Sequence, residues 1–245
     1  MSIAEKLKTV AENEEKVYQA GEQSGLAKVA SSITNGFTNY AYLFYRDPSP
    51  SFSTELFACF KNAVDLTQMF SACPNMTKAP YFDTSKVKKF NHMFSQCPVL
   101  VDVPVYDTSS AENFYYMFGS CTALKKAPKL NTTGATEFKY MFTYCESLET
   151  VEELDISGGT SFTYLFRDCY ALKNLTIKGS INASLELSQS TKLTHESLMS
   201  VINALTDTSE LNANKTYKLT LGSTNLGKLT AEEKAIITNK GWSYA

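Results

Sequence analysis

The chain has 245 residues, 43% of them hydrophobic, enough apolar material for a sizeable core and against disorder as the default reading. Its formal net charge is −2 and its densest basic stretch is Lys86, Lys88 and Lys89, so neither nucleic acid nor an acidic membrane surface is an expected partner. No window approaches the ~20 apolar residues of a membrane span, and the opening Met1-Ser-Ile-Ala-Glu-Lys-Leu-Lys carries no apolar core of a secretion signal.

Residues 1–35 read as a helical segment with Ile3, Leu7, Val10 and Val17 on one stripe, interrupted at Glu14 and Gly21. An amphipathic helix has to cover its stripe. Two ways stand open: packing on the first repeat as a cap, or self-association into a homo-oligomer that attaches the chain to a larger particle.

Residues 36–179 repeat. Met69-Phe-Ser-Ala-Cys73, Met93-Phe-Ser-Gln-Cys97, Met117-Phe-Gly-Ser-Cys121, Met141-Phe-Thr-Tyr-Cys145 and Leu165-Phe-Arg-Asp-Cys169 follow one another at 24 residues. A degenerate copy, Tyr42-Leu43-Phe44, precedes the Met69 copy by 26 residues, with Pro48-Ser-Pro50 absorbing the difference. Within one copy Phe90, Met93, Phe94, Cys97 and Leu100 stand at the spacing of a helix face. The period then changes. Leu100-x-x-Val103-x-Val105 and Leu172-x-x-Leu175-x-Ile177 predict a strand, followed by turns such as Phe82-Asp-Thr-Ser85 and Tyr106-Asp-Thr-Ser109. Helix, strand and turn per unit predict an α/β, leucine-rich-repeat-like solenoid, since no unit buries its apolar face without a neighbour. Strands spaced at roughly 4.8 Å against helices at roughly 8–10 Å put a parallel sheet on the concave side.

Residues 180–245 break the repeat and read as an α/β capping unit. A helix is expected from Thr194 through Leu205, a strand at Tyr217–Leu221, and a helix opened by the capping-box spacing Thr230-Ala-Glu-Glu233 and stopped by Gly241.

The repeat pattern, close to M-F-x-x-C-x-x-L-x-x-L with a D-T-S turn, resembles the BspA-type leucine-rich repeats over roughly residues 37–179. A departure is the column Pro80, Pro104 and Pro128, where family members more often carry a polar strand residue; each proline lacks a ladder donor, so these strands should be short. The stretches Leu193–Leu205, Leu219–Leu226 and Glu233–Trp242 resemble the C-terminal unit of repeat proteins encoded by phages and prophages of Gram-positive gut bacteria, and Met1–Leu7 with Ala11–Tyr18 resembles the start of many phage structural proteins. That resemblance implies a virion-associated protein, held in the bacterial cytoplasm before assembly.

Candidate sites are few. The cysteine column lacks C-x-x-C or Cys/His spacing, so buried, reduced thiols are expected and a metal is not. His92 has no acidic or nucleophilic partner at motif spacing, and His195 beside Glu196 is an ordinary helix start. No nucleophile elbow, zinc-protease motif or phosphate-binding glycine loop occurs, so neither an enzyme nor a cofactor is expected. The most informative feature is aromatic: counted at 100° per residue from Phe90, the column His92, Tyr116, Tyr140 and Tyr164 faces away from the core, flanked by Tyr115 and Tyr144. Tyrosine is enriched where proteins meet partners, although neighbouring rings also stack merely on one another. The concave column Lys78, Asp102, Lys126, Thr150 and Asn174 alternates in charge. The expected function is therefore non-enzymatic: a phage or prophage tail-associated protein whose solenoid binds a protein or a cell-surface glycan, with a bacterial surface adhesin or host-protein-binding module as the alternative.

Overall fold

The computed structural model describes residues 38–48, 52, 57, 60–208 and 216–245. The N-terminal stripe of Ile3, Leu7, Val10 and Val17 lies outside the described residues, as does Cys59. The chain returns to pair with itself in parallel at the repeat spacing: Asp65 bridges Lys89, Lys89 bridges Asn113 and Asn113 bridges Glu137, while a second line joins Lys78 to Asp102 and Lys126 to Thr150. The result is a mixed α/β chain of short parallel strands and few helices.

The helix expected over Phe90–Leu100 and its copies does not form. In each copy the backbone makes consecutive four-residue turns: Met117 N donates to the Phe114 carbonyl at 3.1 Å, Gly119 N to Tyr116 at 3.1 Å and Cys121 N to Phe118 at 3.0 Å. The intervening amides leave the unit. Phe114 N donates to Glu137 O at 2.9 Å, Tyr116 N to Lys139 O at 3.0 Å, Phe118 N to Met141 O at 2.9 Å and Ser120 N to Thr143 O at 2.8 Å. Alternate amides thus serve the turn and the next unit, and none remains for an i to i−4 ladder. The first and third of these turns need a left-handed residue at their third position, as in type II turns. The backbone supplies it at His92 and Gln96, Tyr116 and Ser120, Tyr140 and Tyr144, and Tyr164 and Asp168, with φ of 54–64°. A ribbon of four-residue turns buries the same positions as a helix face: Phe90, Met93, Phe94, Cys97 and Leu100 are all fully buried.

Strands longer than a single bridged pair form where the proline column ends. Strand β1 (Thr150–Asp155) pairs in parallel with β2 (Asn174–Lys178), with a register shift between Val151 and Leu154. In the units carrying Pro80, Pro104 and Pro128 the pairing contracts to isolated bridges at Lys78, Asp102 and Lys126, the shortening that the missing amides predict. In the Pro80 and Pro104 units the inward residue also shifts by one: Phe82 and Tyr106 are buried whereas Tyr81 and Val105 are each 63% exposed. Val105 is therefore not the core strand residue its spacing suggested, while Leu175 and Ile177 are buried as expected.

Like residues stack on like. Phe70, Phe94, Phe118, Phe142 and Phe166 form a column with ring centroids 5.6–5.7 Å apart and planes within 12° of parallel. A second column runs through Phe90, Phe114, Phe138 and Phe162 at 5.7–6.3 Å. Each such pair contributes about 0.5–1.5 kcal/mol beyond its burial, and repetition fixes the register. The Asp-Thr-Ser turns add a polar seam: Thr84 and Thr108 hydroxyls donate to the Asp107 and Asn131 carbonyls at 2.8 and 2.9 Å, and Asp83 and Asp107 carboxylates accept from Ser85 N and Ser109 N at 3.0 Å.

The C-terminal unit holds β3 (Leu185–Glu186), α1 (His195–Ala204), β4 (Lys218–Thr220), α2 (Gly222–Leu226), α3 (Ala231–Asn239) and β5 (Ser243–Tyr244). The expected caps are present: the Thr194 side chain accepts from Ser197 N, Thr230 and Glu233 form the capping box, and Gly241 has φ 77°. Three short elements, α2, β3 and β5, are not foreshadowed by the sequence pattern; β3, β4 and β5 form one parallel sheet in that order. Helix α1 closes the open side of β2 with side chains. Ser197 Oγ donates to Lys173 O at 3.1 Å and accepts from Leu175 N at 2.9 Å, and Ser200 Oγ accepts from Ile177 N at 3.0 Å. Gln189 does the same for the turn ribbon, accepting from Asp168 N at 3.0 Å and donating to Asp168 Oδ1 at 2.8 Å. An unpaired strand edge is thereby satisfied without another strand. At the far end of α1, Lys240 Nζ donates to the carbonyls of Asn203 and Leu205 at 2.8 Å each, a cation on the negative end of the helix; burial holds its pKa below the ordinary lysine value.

Candidate partner-binding face

The aromatic column exists, though turns rather than helices present it. His92, Tyr116, Tyr140 and Tyr164 each occupy the first left-handed position of their unit, with φ of 57°, 54°, 60° and 54°. Such a conformation costs about 1–2 kcal/mol per non-glycine residue, and two things offset it here. The amides of His92, Tyr116 and Tyr140 bond the next unit, as His92 N does on Tyr115 O at 2.9 Å and Tyr140 N on Thr163 O at 3.0 Å. The rings also meet: centroid distances are 5.0 Å for His92–Tyr116, 6.1 Å for Tyr116–Tyr140 and 5.3 Å for Tyr140–Tyr164. Tyr115 joins between units, 5.2 Å from His92 and 5.6 Å from Tyr140.

Stacking consumes part of the surface that the sequence offers. His92, Tyr115, Tyr116 and Tyr140 are half-buried, whereas Tyr144 and Tyr164 remain 40% and 38% exposed. The Tyr116 ring lies on Gly119, where an added Cβ would collide with it, and its hydroxyl is 3.2 Å from Ser120 Oγ. Burial holds the His92 pKa below its ordinary value, so this ring is neutral at physiological pH.

Two further residues belong to the face. Tyr42, 53% exposed and also left-handed at φ 62°, extends the column by accepting a bond from Gln68 Nε2 at 3.2 Å. The unit between it and His92 carries Gln68 at the ring position, which breaks the run of aromatic residues in the sequence. Arg167 closes the other end, with its guanidinium carbon 4.6 Å from the Tyr164 ring centre and 5.7 Å from that of Tyr144. It stands where other units carry Ser71, Ser95, Gly119 and Thr143.

On the strand side the charges are paired within the chain: Lys78 with Asp102 at 2.9 Å and Lys126 with Glu152 at 3.0 Å, while Asn174 Nδ2 reaches Thr150 Oγ1 at 3.3 Å. Tyr81, Val101 and Val105 are exposed beside them, an apolar contribution hidden by the assignment of Val105 to the core.

Cys73, Cys97, Cys121, Cys145 and Cys169 are buried free thiols, each donating to a phenylalanine carbonyl of the preceding unit at 3.0–3.1 Å. Burial pushes the Cys121 thiol up to about 12, and it also raises Cys145 and Cys169; Cys97 is raised by its hydrogen bond with Cys73 and by burial. Reactivity belongs to the thiolate. Native alkylation mapped by peptide mass should leave these five unlabelled even at pH 9, and modification of any of them without unfolding contradicts the burial. His195 Nε2 lies 2.8 Å from Glu233 Oε1 and ties α1 to α3, a contact between residues too distant in sequence to anticipate. Among the described residues no group of three His, Cys, Asp or Glu side chains could hold a metal ion, and no helix is long and apolar enough to cross a membrane.

No curated protein and no solved structure matches the chain significantly. Residues 61–179 match the model of a family described as Mycoplasma protein of unknown function, DUF285, the stretch that carries the Met-Phe-x-x-Cys units and the BspA-type resemblance.

Proposed function

We propose that the chain is a non-catalytic interaction protein in which the stacked units form one leucine-rich-repeat-like solenoid and the aromatic column carries the partner contact. The observation that supports this reading is the column itself: one ring per unit from His92 to Tyr164, each touching the next, extended to Tyr42 and ending under Arg167. Tyrosine gives large contact area with few rotors, and rings already fixed by stacking lose little further freedom on binding. The partner is a protein or a cell-surface glycan. The setting is a phage or prophage virion, tail-associated, as the resemblance of both chain ends to phage-encoded proteins implies, with residues 1–35 serving attachment or oligomerisation. A second reading, a bacterial surface adhesin or host-protein-binding module, is favoured by the family match over residues 61–179, whose description names a bacterium.

Retention of the purified chain on intact Gram-positive cells tests the column. Tyr144→Ser with Tyr164→Ser, both exposed, should cost stability only the Tyr140–Tyr164 ring contact, about 0.5–1.5 kcal/mol, and weaken retention about tenfold or more. Lys78→Ser with Lys126→Ser should leave it unchanged. Retention lost in the lysine pair and kept in the tyrosine pair moves the contact to the strand side, and no retention of the parent chain removes the reading.

A further inference from the structure

We propose that the C-terminal end of the aromatic column is a subsite for a neutral sugar ring, with Arg167 as its hydrogen-bonding fork; this rests on the column being the contact face. Tyr164, Arg167, Glu186, Ser188 and Gln189 line a shallow surface cleft, too small to enclose a ligand, where the last repeat meets the capping unit and a ring could lie across it. Arg167 is held in place three ways. Its guanidinium lies 4.6 Å from the Tyr164 ring centre and 5.7 Å from that of Tyr144, and its Nε is 3.4 Å from Asp168 Oδ2. Asp168 is itself fixed by Gln189 Nε2 at 2.8 Å and by the Tyr170 hydroxyl at 2.5 Å. Among the described residues no acceptor bonds the two terminal amino groups of Arg167, whose side chain is 42% exposed. A planar, pre-oriented fork of donors beside aromatic rings suits a ligand with adjacent oxygens on an apolar ring.

Charge decides between a neutral and an acidic ligand. Asp168 and Glu186 outweigh the single cation, so the cleft has no positive surplus for a carboxylate or phosphate. Glu186, whose Oε1 accepts from Ser188 Oγ at 2.9 Å, supplies an acceptor for hydroxyl donors instead. A hydroxyl-rich, uncharged ring satisfies both signs.

The full chain is titrated with neutral glucose- and galactose-based tri- to hexasaccharides and with a galacturonate trisaccharide, followed by calorimetry and saturation-transfer NMR. At least one neutral oligosaccharide should bind more tightly than the uronate. Arg167→Gln should weaken it about tenfold, and Arg167→Lys should not restore it, because a point charge lacks the fork. Tighter binding of the uronate, binding unaffected by Arg167→Gln, or no binding of any neutral oligosaccharide overturns the subsite. Column-dependent retention on cells without sugar binding removes this inference alone; Arg167-dependent sugar binding without retention removes the column reading alone.

Discussion

Met117→Asp should abolish the cooperative unfolding transition of the repeat region. Met117 is fully buried, as are its counterparts Met93 and Met141 in the units on either side. A carboxylate placed there has no cation to pair with and must stay charged at a cost of several kcal/mol or bind a proton that it does not hold when unfolded. Against a typical total of about 5–15 kcal/mol for a folded chain, one such site suffices to unfold several units, because each is held by its neighbours. Urea titration followed by far-ultraviolet dichroism reads the effect. A variant with the parent's midpoint shows that the Met column is not core, and Tyr144→Asp on the exposed face serves as the control that should melt nearly like the parent.

The second large effect is expected at the capping unit. Ser197→Ala with Ser200→Ala leaves Leu175 N and Ile177 N without the hydroxyls that accept from them, and takes one donor from Lys173 O. A buried donor without an acceptor costs about 1–3 kcal/mol, so the pair should lower stability by about 2–6 kcal/mol. The amides of Leu175 and Ile177 should lose protection from hydrogen exchange before those of the Phe columns do. An unchanged midpoint with unchanged protection means that α1 covers β2 by apolar packing alone and that the serines add nothing.

The sequence made the repeat spacing, the core columns and the capping helices legible because each is written in local chemistry. Thr230 and Glu233 announce their capping box, Gly241 its left-handed stop, and Pro80, Pro104 and Pro128 the loss of ladder donors; all three appear in the structure. The turn ribbon was illegible for two physical reasons. Its buried positions coincide with those of a helix face, and its left-handed positions carry Tyr, His, Gln and Ser where turn chemistry would show glycine or asparagine. What holds those residues left-handed is the carbonyl of the next unit, 23 residues on, as for Tyr116 N on Lys139 O, and no local window contains it. The aromatic column was found through a helical count that does not apply. It survives because the left-handed residue of each turn also points away from the Phe and Met columns, as the partial exposure of His92, Tyr116, Tyr140 and Tyr164 shows. The ring-on-ring stacking that the sequence left open is present, and the Tyr116 ring also fills the space over Gly119, a contact the spacing did not suggest.

The arrangement on which the proposed function stands is an aromatic column carried by turns bonded from unit to unit. Through-hydrogen-bond scalar couplings measured on deuterated, ¹⁵N,¹³C-labelled chain test it at the bonds concerned. The account predicts couplings from His92 N to the Tyr115 carbonyl, Tyr116 N to Lys139 and Tyr140 N to Thr163. Couplings from Phe94 N to the Phe90 carbonyl and from Phe118 N to Phe114, with none between units, would establish helices there and contradict the ribbon, the left-handed tyrosines and the face built on them.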